Sequence, residues 1–498
     1  LALLRNDKEE TLYEGVKRLG PGHLLVIEES NVRIEKYWEI SEQSRELSFN
    51  NEEYAEVFRD KLKEAVKCRT RSNTPIASQL SGGLDSSFVT ALANECTENE
   101  SIHTLSLIFS ESKSCDERDY ICKVTDKIDS IEHYIDIDQY GPLENIEKIY
   151  KYQDDGIANA NHYSFWEMFA EANNQGVRVV LDGLDGDTAV MHGLLYLRKL
   201  ASHFQWKSFY SEARKLAYVH ANAEYRQEFI ETISDPDKIF WQFGFPIIEE
   251  AAAQSNFTQV LRHIYNIKNN SITDSVEVIK RIWRRTIAPH NLVKMRDKKR
   301  EKELYRDKLR YIKKSFLEDH NIIEKYSKRN YRNFVSNDVR ATQAHQYRSG
   351  SVTTQLEKAN HYAAAWKLEN RHPFMDTRLL SYCLSLPPEQ SLSNGWTRAI
   401  MRRAMRGDVP RAIRKRPGKA RMSANFSRGL FKNDREKLEA ILSNPGTLSD
   451  FVDIRFVKSR YMWVRKVFEE KGVVPDNEAI RLCRIAALGY RLREIENS

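Results

Sequence analysis

From Pro75 to Leu181, short apolar strand-like runs alternate with helix-length segments, and that alternation leaves few folds open. The succession reads as strand Pro75–Leu80, helix Asp85–Asn94, strand Ile102–Phe109, helix Glu117–Ile128, strand Ile131–Ile137, helix Phe165–Asn173 and strand Val177–Leu181. Parallel strands need long crossover connections, which the helices supply, so the expected fold is α/β with a parallel, doubly wound sheet. Such sheets bind their ligands beyond the carboxyl ends of the strands. Strand signals become rare after Leu194, so the C-terminal half is expected to be largely helical, with a helical insertion at about 194–339. Residues 11–40 read as a short helix, a Gly20-Pro21-Gly22 turn and two strands, Leu24–Glu28 and Val32–Trp38. Asn50 or Asn51 caps a following helix in which Tyr54, Val57, Phe58, Leu62, Ala65 and Val66 recur at helical spacing. Residues 1–45 therefore read as the tail of another domain and 46–490 as the main one. The chain begins at Leu1 without an initiator Met, and an upstream portion is expected.

With 498 residues, 41% of them hydrophobic, the chain can bury a large core. It shows no run of about 18 apolar residues and no charged leader before an apolar stretch, so no membrane partner is expected and the cytoplasm is the default location. The six cysteines, Cys68, Cys96, Cys115, Cys122, Cys383 and Cys483, are scattered without a CxxC pair, which argues against a zinc site or a disulfide framework. The net charge of +7 is modest but uneven. Arg281 to Lys314 is dense in Lys and Arg interleaved with Trp283, Tyr305 and Tyr311, and it reads either as a polyanion contact or as a solvated helix face with neighbours such as Glu301/Tyr305 and Asp307/Lys308.

The first strand runs straight into Ser81-Gly82-Gly83-Leu84-Asp85-Ser86-Ser87 and then a helix. Gly82 and Gly83 permit a tight turn that brings backbone N–H groups close to an anion, while Ser81, Ser86 and Ser87 add hydroxyl donors. The helix start directs its positive end at the same place. A carboxylate facing a polyphosphate makes sense where a divalent cation bridges the two, so Asp85 points to Mg²⁺. No Gly-Lys-Ser/Thr follows, so this is a pyrophosphate loop rather than a Walker loop. After the last expected strand, Asp182-Gly183-Leu184-Asp185-Gly186-Asp187 forms a second glycine-rich turn, expected to face the first, with Asp85 and Asp187 holding Mg²⁺ on the pyrophosphate from opposite sides.

These motifs resemble the synthetase half of the asparagine synthetase family. SGGLDSS is similar to its pyrophosphate loop, and LDGLDGD stands where the family has Ser-Gly-x-Gly-x-Asp-Glu. Glu369-Asn370-Arg371-His372-Pro373-Phe374-Met375-Asp376 is similar to its Glu-x-Arg-x-Pro-Phe-Leu-Asp signature, and Arg416-Pro417-Gly418-Lys419 lies near its catalytic lysine. The early hairpin, with Pro21-Gly22-His23 and Tyr37-Trp38, resembles the join to that family's N-terminal glutaminase-like domain.

The resemblance implies an adenine nucleotide alpha hydrolase-like fold and an ATP-dependent, AMP-forming carbon–nitrogen ligase. Leu80 and Ser81, Gly82, Gly83, Leu84, Asp85, Ser86 and Ser87 would bind ATP at its pyrophosphate, with Leu107 and Asp182-Gly183 at the nucleoside. Asp85 and Asp187 would be the metal-linked aspartates. Glu369 would act as base or orienter near the amine, unless it only pairs with Arg371. Lys419 would stabilise charge in the transition state, unless it is one solvated member of the cluster Arg414, Lys415, Arg416 and Arg421. A carboxylate would attack the α-phosphate to give an acyl-adenylate, and a nitrogen nucleophile would displace AMP.

The chain departs from asparagine synthetases in Thr188, where the family has Glu, and in Ala189-Val190-Met191-His192-Gly193. Arg378 to Pro388, Gly395-Trp396-Thr397-Arg398 and Arg402-Arg403-Ala404-Met405 look more like lasso peptide macrolactam cyclases. The expected substrate is thus a precursor peptide, with a leader-handling protease as possible partner; aspartate, made into asparagine, is the alternative. A tRNA-modifying enzyme or a non-catalytic scaffold would be other classes, but the Glu369 and Lys419 motifs disfavour them and no nucleic-acid partner is expected.

Overall fold

The computed structural model describes residues 11, 13–29, 31–40, 48–97, 101–153, 156–157, 161–221, 233–270, 274–286, 309–323 and 338–497, apart from the side chains of 269–270 and 284–286. Strands β1 (His23–Glu28) and β2 (Asn31–Lys36) form an antiparallel hairpin. Where a short helix is expected before it, the chain makes only a turn, with Val16 N–H donating to Tyr13 O at 3.2 Å. Gly15 sits there at φ 76°, a left-handed conformation that stops a helix from propagating.

Helix α1 (Asn51–Arg69) begins in a capping box. Glu52 and Glu53 N–H donate to Asn50 Oδ1 at 2.9 and 3.0 Å, and Asn50 N–H donates to Glu53 Oε2 at 2.8 Å. The helix buries Tyr54, Phe58, Leu62 and Val66 against the sheet layer.

The main sheet contains β3 (Ile76–Gln79), β4 (Ile102–Ile108), β5 (Ser130–Asp136), β6 (Val179–Leu181) and β7 (Glu369–Arg371), all parallel, in the order β5-β4-β3-β6-β7. Helices α2 (Leu84–Cys96), α3 (Arg118–Thr125), α4 (Ile146–Tyr150) and α5 (His162–Asn174) fall between the strands. Period-two alternation divides the strand residues between two cores. Ile76, Val179 and Leu181 join the layer of α1 and α2, whereas Ala77 and Val180 join Trp166 and Phe169 of α5 on the other face. The doubly wound expectation therefore holds. The chain steps outward from β3 to β4 to β5 and then returns to place β6 on the other side of β3, so the topological switch lies between β3 and β6, whose carboxyl ends carry the two glycine loops.

Strand β7 corrects the reading that Val177–Leu181 is the last strand. Glu-Asn-Arg has neither apolar alternation nor β-branching, and its central Asn370 is buried because Nδ2 donates to Asp182 Oδ2 at 2.8 Å.

Beyond β6 the chain is mainly helical. Trp206–Ala221, Phe245–Ala253 and neighbouring helices share a core of Trp206, Phe209, Tyr210 and Phe240. The long helices Ile454–Lys471 and Asp476–Glu496 close the other end over Leu438, Leu482 and Ala486. A two-residue hairpin, β8 (Leu392–Ser393) and β9 (Trp396–Thr397), leans on helix Trp206–Ala221. Of the basic stretch, residues 287–308 lie outside the described residues, and with them the neighbours Glu301/Tyr305 and Asp307/Lys308. Arg281 stacks 3.8 Å from the Trp241 ring and donates to Glu277 at 3.0 Å. Among the described residues no helix is long and apolar enough to cross a membrane.

Candidate active site

The first loop turns at Gly82, whose φ of 67° only glycine adopts without strain and whose added Cβ would lie 2.7 Å from Tyr120 Cβ. Gly83 caps α2 in an extended conformation, so the first turn of that helix, Leu84, Asp85 and Ser86, opens onto a cavity of about 380 Å³. The loop is braced internally: Ser81 N–H donates to Ser86 Oγ at 3.2 Å, and the two hydroxyls lie 3.0 Å apart. The first N–H groups of a helix have no intrahelical acceptor, and the start of α2 stands on this wall, which suits an anion.

The second loop packs directly on the first. A Cβ at Gly183 would lie 2.6 Å from Ser86 N, and one at Gly186 would lie 2.5 Å from Asp85 Oδ1. Glycine at both positions is thus what allows the two turns to touch. Asp185 adopts φ 58° between them, and burial together with Asp187 pushes its carboxyl up to about 6. Asp187 lines the cavity; burial raises its pKa, but His192, Arg398 and Lys419 outweigh that and hold it below the usual carboxylate range.

Cations converge on this point from the C-terminal half. Arg398 Nη1 lies 2.8 Å from both Oδ1 and Oδ2 of Asp85. Lys419 stands on the cavity wall in a loop pinned at both sides. In that loop the Arg416 guanidinium donates to Glu117 and, at 3.1 Å, to Gly82 O, and stacks 3.9 Å from the Tyr120 ring, while Ala420 N–H donates to Glu117 Oε1 at 2.8 Å. The Lys419 loop is thereby tied to the first loop through Arg416, with Glu117 bracing Arg416 and Ala420 from the side.

Leu80, Ser81, Gly83, Leu84, Asp85, Ser86, Leu107, Gly183, Asp187 and Lys419 all line the one cavity. Its wall at Leu107, Phe109, Phe165 and Met168 is apolar, with Asn161 and Ser164 among the polar groups, a composition suited to a flat base. Three expected residues stand behind the wall. Gly82 and Ser87 shape the turn without lining the cavity, and the buried Asp182 carboxylate is taken up by Leu184 N–H at 3.1 Å, Asn370 Nδ2 at 2.8 Å and His372 Nδ1 at 3.0 Å.

Glu369 is placed elsewhere. It begins β7 opposite Val179, at the amino end of the sheet, its side chain is 63% exposed, and its partner is Arg371 at 2.7 Å. A parallel strand carries its first residue away from the carboxyl-end cleft, so the motif's glutamate does not reach the cavity. Arg398, Arg402, His192 and His220 also line the cavity; no local motif marks them as site residues, and Arg398 meets Asp85 across 313 positions of chain.

The asparagine synthase family model matches residues 57–470. The chain belongs to the asparagine synthase family. It is 22% identical over 414 residues to "Asparagine synthetase [glutamine-hydrolyzing] 3" of Bacillus subtilis, covering 80% of this chain and 53% of that protein. It is 30% identical over 179 residues to "Putative asparagine synthetase [glutamine-hydrolyzing] 2" of Methanocaldococcus jannaschii, covering 36% and 34%, and 27% identical over 194 residues to "Amidase chry2" of Gibberella zeae, covering 36% and 29%. The chain thus spans about half the length, or less, of these relatives.

Within this site, Asp85 and Asp187 offer oxygen donors of the kind Mg²⁺ takes when it travels with phosphate, which needs one or two protein carboxylates and not a full cage. Among the described residues no group of three or more His, Cys, Asp or Glu side chains is placed to hold a metal unaided.

Proposed function

We propose that the chain is an ATP-dependent amide-forming ligase that adenylates a carboxylate, releases pyrophosphate and hands the acyl group to an amine. The observation that carries this reading is the contact of two glycine-bent loops at the switch point, with Asp85, Asp187, Arg398 and Lys419 on one cavity.

In this reading the N–H groups of Leu84 and Ser86 and the hydroxyls of Ser81 and Ser86 hold the β- and γ-phosphates. Asp85 and Asp187 would hold Mg²⁺, which supplies charge neutralisation on the pyrophosphate. The base lies against Leu107 and Phe165. A carboxylate oxygen attacks the α-phosphorus as the bond to the bridging oxygen breaks and pyrophosphate leaves. An amine then attacks the acyl carbon and AMP departs, the amine losing a proton to solvent or phosphate. Lys419 and Arg398 stabilise the negative charge that moves onto phosphate oxygens in both steps. Glu369 has no part in it.

The acyl acceptor we favour is the N-terminal amine of a peptide whose own Asp or Glu side chain is activated, giving a macrolactam. Support comes from Thr188 and His192, which follow the second loop, and from the Gly395–Arg398 and Arg402–Met405 segments, whose Thr397, Arg398 and Arg402 line the cavity. A precursor peptide, and a protease that removes its leader, would then be the partners. The names of the Bacillus subtilis and Methanocaldococcus jannaschii relatives favour a second reading, aspartate to asparagine. Incubation with Mg²⁺-ATP and either an Asp-containing peptide with a free amine or aspartate with ammonia separates them. Loss of one water from the peptide with AMP formation supports the first; asparagine formation supports the second; ADP formation with neither product overturns both.

A further inference from the structure

One end of the cavity carries two buried polar groups that the nucleotide does not need. Helix Trp206–Ala221, from the helical region, brings His220 to the cavity wall, where the residue is 2% exposed. Neither ring nitrogen of His220 has a hydrogen-bond partner among the described residues. The same cavity is lined by Arg402, 7% exposed, whose Nε donates to Thr397 O at 2.8 Å and whose Nη1 donates to Arg414 O and Arg416 O at 2.8 and 3.0 Å. It stacks 4.8 Å from the Trp396 ring. Carbonyls and a ring orient the guanidinium but do not cancel its charge, and among the described residues no carboxylate pairs with it.

The elements that carry the two groups are held together by backbone packing. A Cβ at Gly395 would lie 2.4 Å from Lys215 O, and Gly395 N–H donates to Glu212 Oε2 at 3.2 Å, so the β8–β9 turn is seated on the helix that carries His220. Thr397, Arg398 and Arg402 follow directly from that turn.

We propose that His220 and Arg402 form the acyl-substrate subsite, in which the imidazole N–H donates to the carboxylate that is to be activated and the guanidinium supplies its counter-charge. The proposal rests on the adenylation reading. An imidazole buried without a partner destabilises a fold and is retained where a ligand completes it. An uncompensated buried cation favours an anion in the same way. Burial, then Arg402, then His192 pull the His220 ring down to about 4, so it is a neutral donor and acceptor. Burial and the neighbouring Arg398 draw Arg402 down to about 9, and a bound carboxylate relieves both. The subsite adjoins the Asp85–Arg398 pair, which puts the carboxylate next to the pyrophosphate loop.

The test measures pyrophosphate release by the full chain at saturating Mg²⁺-ATP against rising L-aspartate, L-glutamate and a hexapeptide with one internal Asp, alongside calorimetric affinity for α,β-methylene ATP. His220→Leu is expected to raise the half-saturating carboxylate concentration roughly ten- to hundred-fold, with nucleotide affinity within about two-fold and Tm equal or higher. His220→Gln, which keeps a donor, recovers part of the loss. An unchanged carboxylate response in His220→Leu overturns the subsite, as does a parallel fall in nucleotide affinity. A wild-type chain that binds the nucleotide but answers to none of the carboxylates sinks the adenylation reading itself.

Discussion

Arg398 Nη1 lies 2.8 Å from each carboxylate oxygen of Asp85, joining the first glycine loop to a helix start 313 residues downstream. Arg398 is at φ 52°, a left-handed conformation that costs a non-glycine residue roughly 1 kcal/mol. The fold sustains it because the β8–β9 turn and helix Ala399–Ala404 fix the backbone on either side.

If that pair organises the anion site, Asp85→Ala abolishes pyrophosphate release and Arg398→Ala lowers it about 100-fold. Quenched assays of AMP and pyrophosphate check both. Turnover within a few-fold of wild type in Arg398→Ala would assign the arginine to structure alone.

Lys419 faces the same cleft. Its replacement by Ala is expected to suppress amide formation by roughly 100- to 1,000-fold, with nucleotide affinity changed far less, since charge develops on phosphate during reaction. Single-turnover kinetics separate the two effects.

Much of this was legible in the sequence, and the residues that were not share a reason. Ile76, Val179 and Leu181 announce strands because they are apolar, the first two also β-branched, and SGGLDSS and DGLDGD mark the loops because only glycine permits their contact. Strand β7 carries no such signal because Glu369, Asn370 and Arg371 are polar and are held by the backbone ladder with β6 and by side-chain bonds, not by burial of apolar surface. His220 recurs with Phe209, Ala213 and Leu216 on the inner face of its helix, so periodicity counts it as core. The pairing of Asp85 with Arg398 is a fact of tertiary packing that no local spacing encodes. The signature containing Glu369 points to a catalytic role, while the residue itself begins β7, pairs with Arg371 and does not line the cavity.

That last point gives its own prediction. Glu369→Gln removes an exposed ion pair with Arg371, which is worth about 1 kcal/mol or less. Pyrophosphate release and amide formation should stay within about three-fold of wild type; a loss of several hundred-fold would return the glutamate to the reaction.

Gly186→Ala tests the contact between loops with a single methyl group. The added Cβ, 2.5 Å from Asp85 Oδ1, must push the carboxylate or the loop aside. Overpacking of this kind costs roughly 1–3 kcal/mol. Activity should fall by more than the modest drop in Tm suggests, and thermal melts beside turnover assays show whether it does.

The pair beneath the second loop carries a pH dependence. Burial pulls His372 down, but the Asp182 carboxylate at 3.0 Å and its hydrogen bond outweigh that and hold the imidazole above its ordinary value. A raised folded pKa stabilises in full below about pH 6.5, and that contribution is lost as pH rises through the folded value. Urea midpoints compared at about pH 6 and about pH 8 should fall more in wild type than in Asp182→Asn, where the raised pKa is gone. Equal falls in the two proteins would remove the pair from the pH response.

The most direct test of the central claim is product analysis of ATP labelled at the α-phosphate, with Mg²⁺ and an acyl substrate present. The facing loops predict labelled AMP and one pyrophosphate per amide formed, and neither product from Asp85→Ala. Labelled ADP with inorganic phosphate would mean that the bond broken is not the one this cleft is built to break.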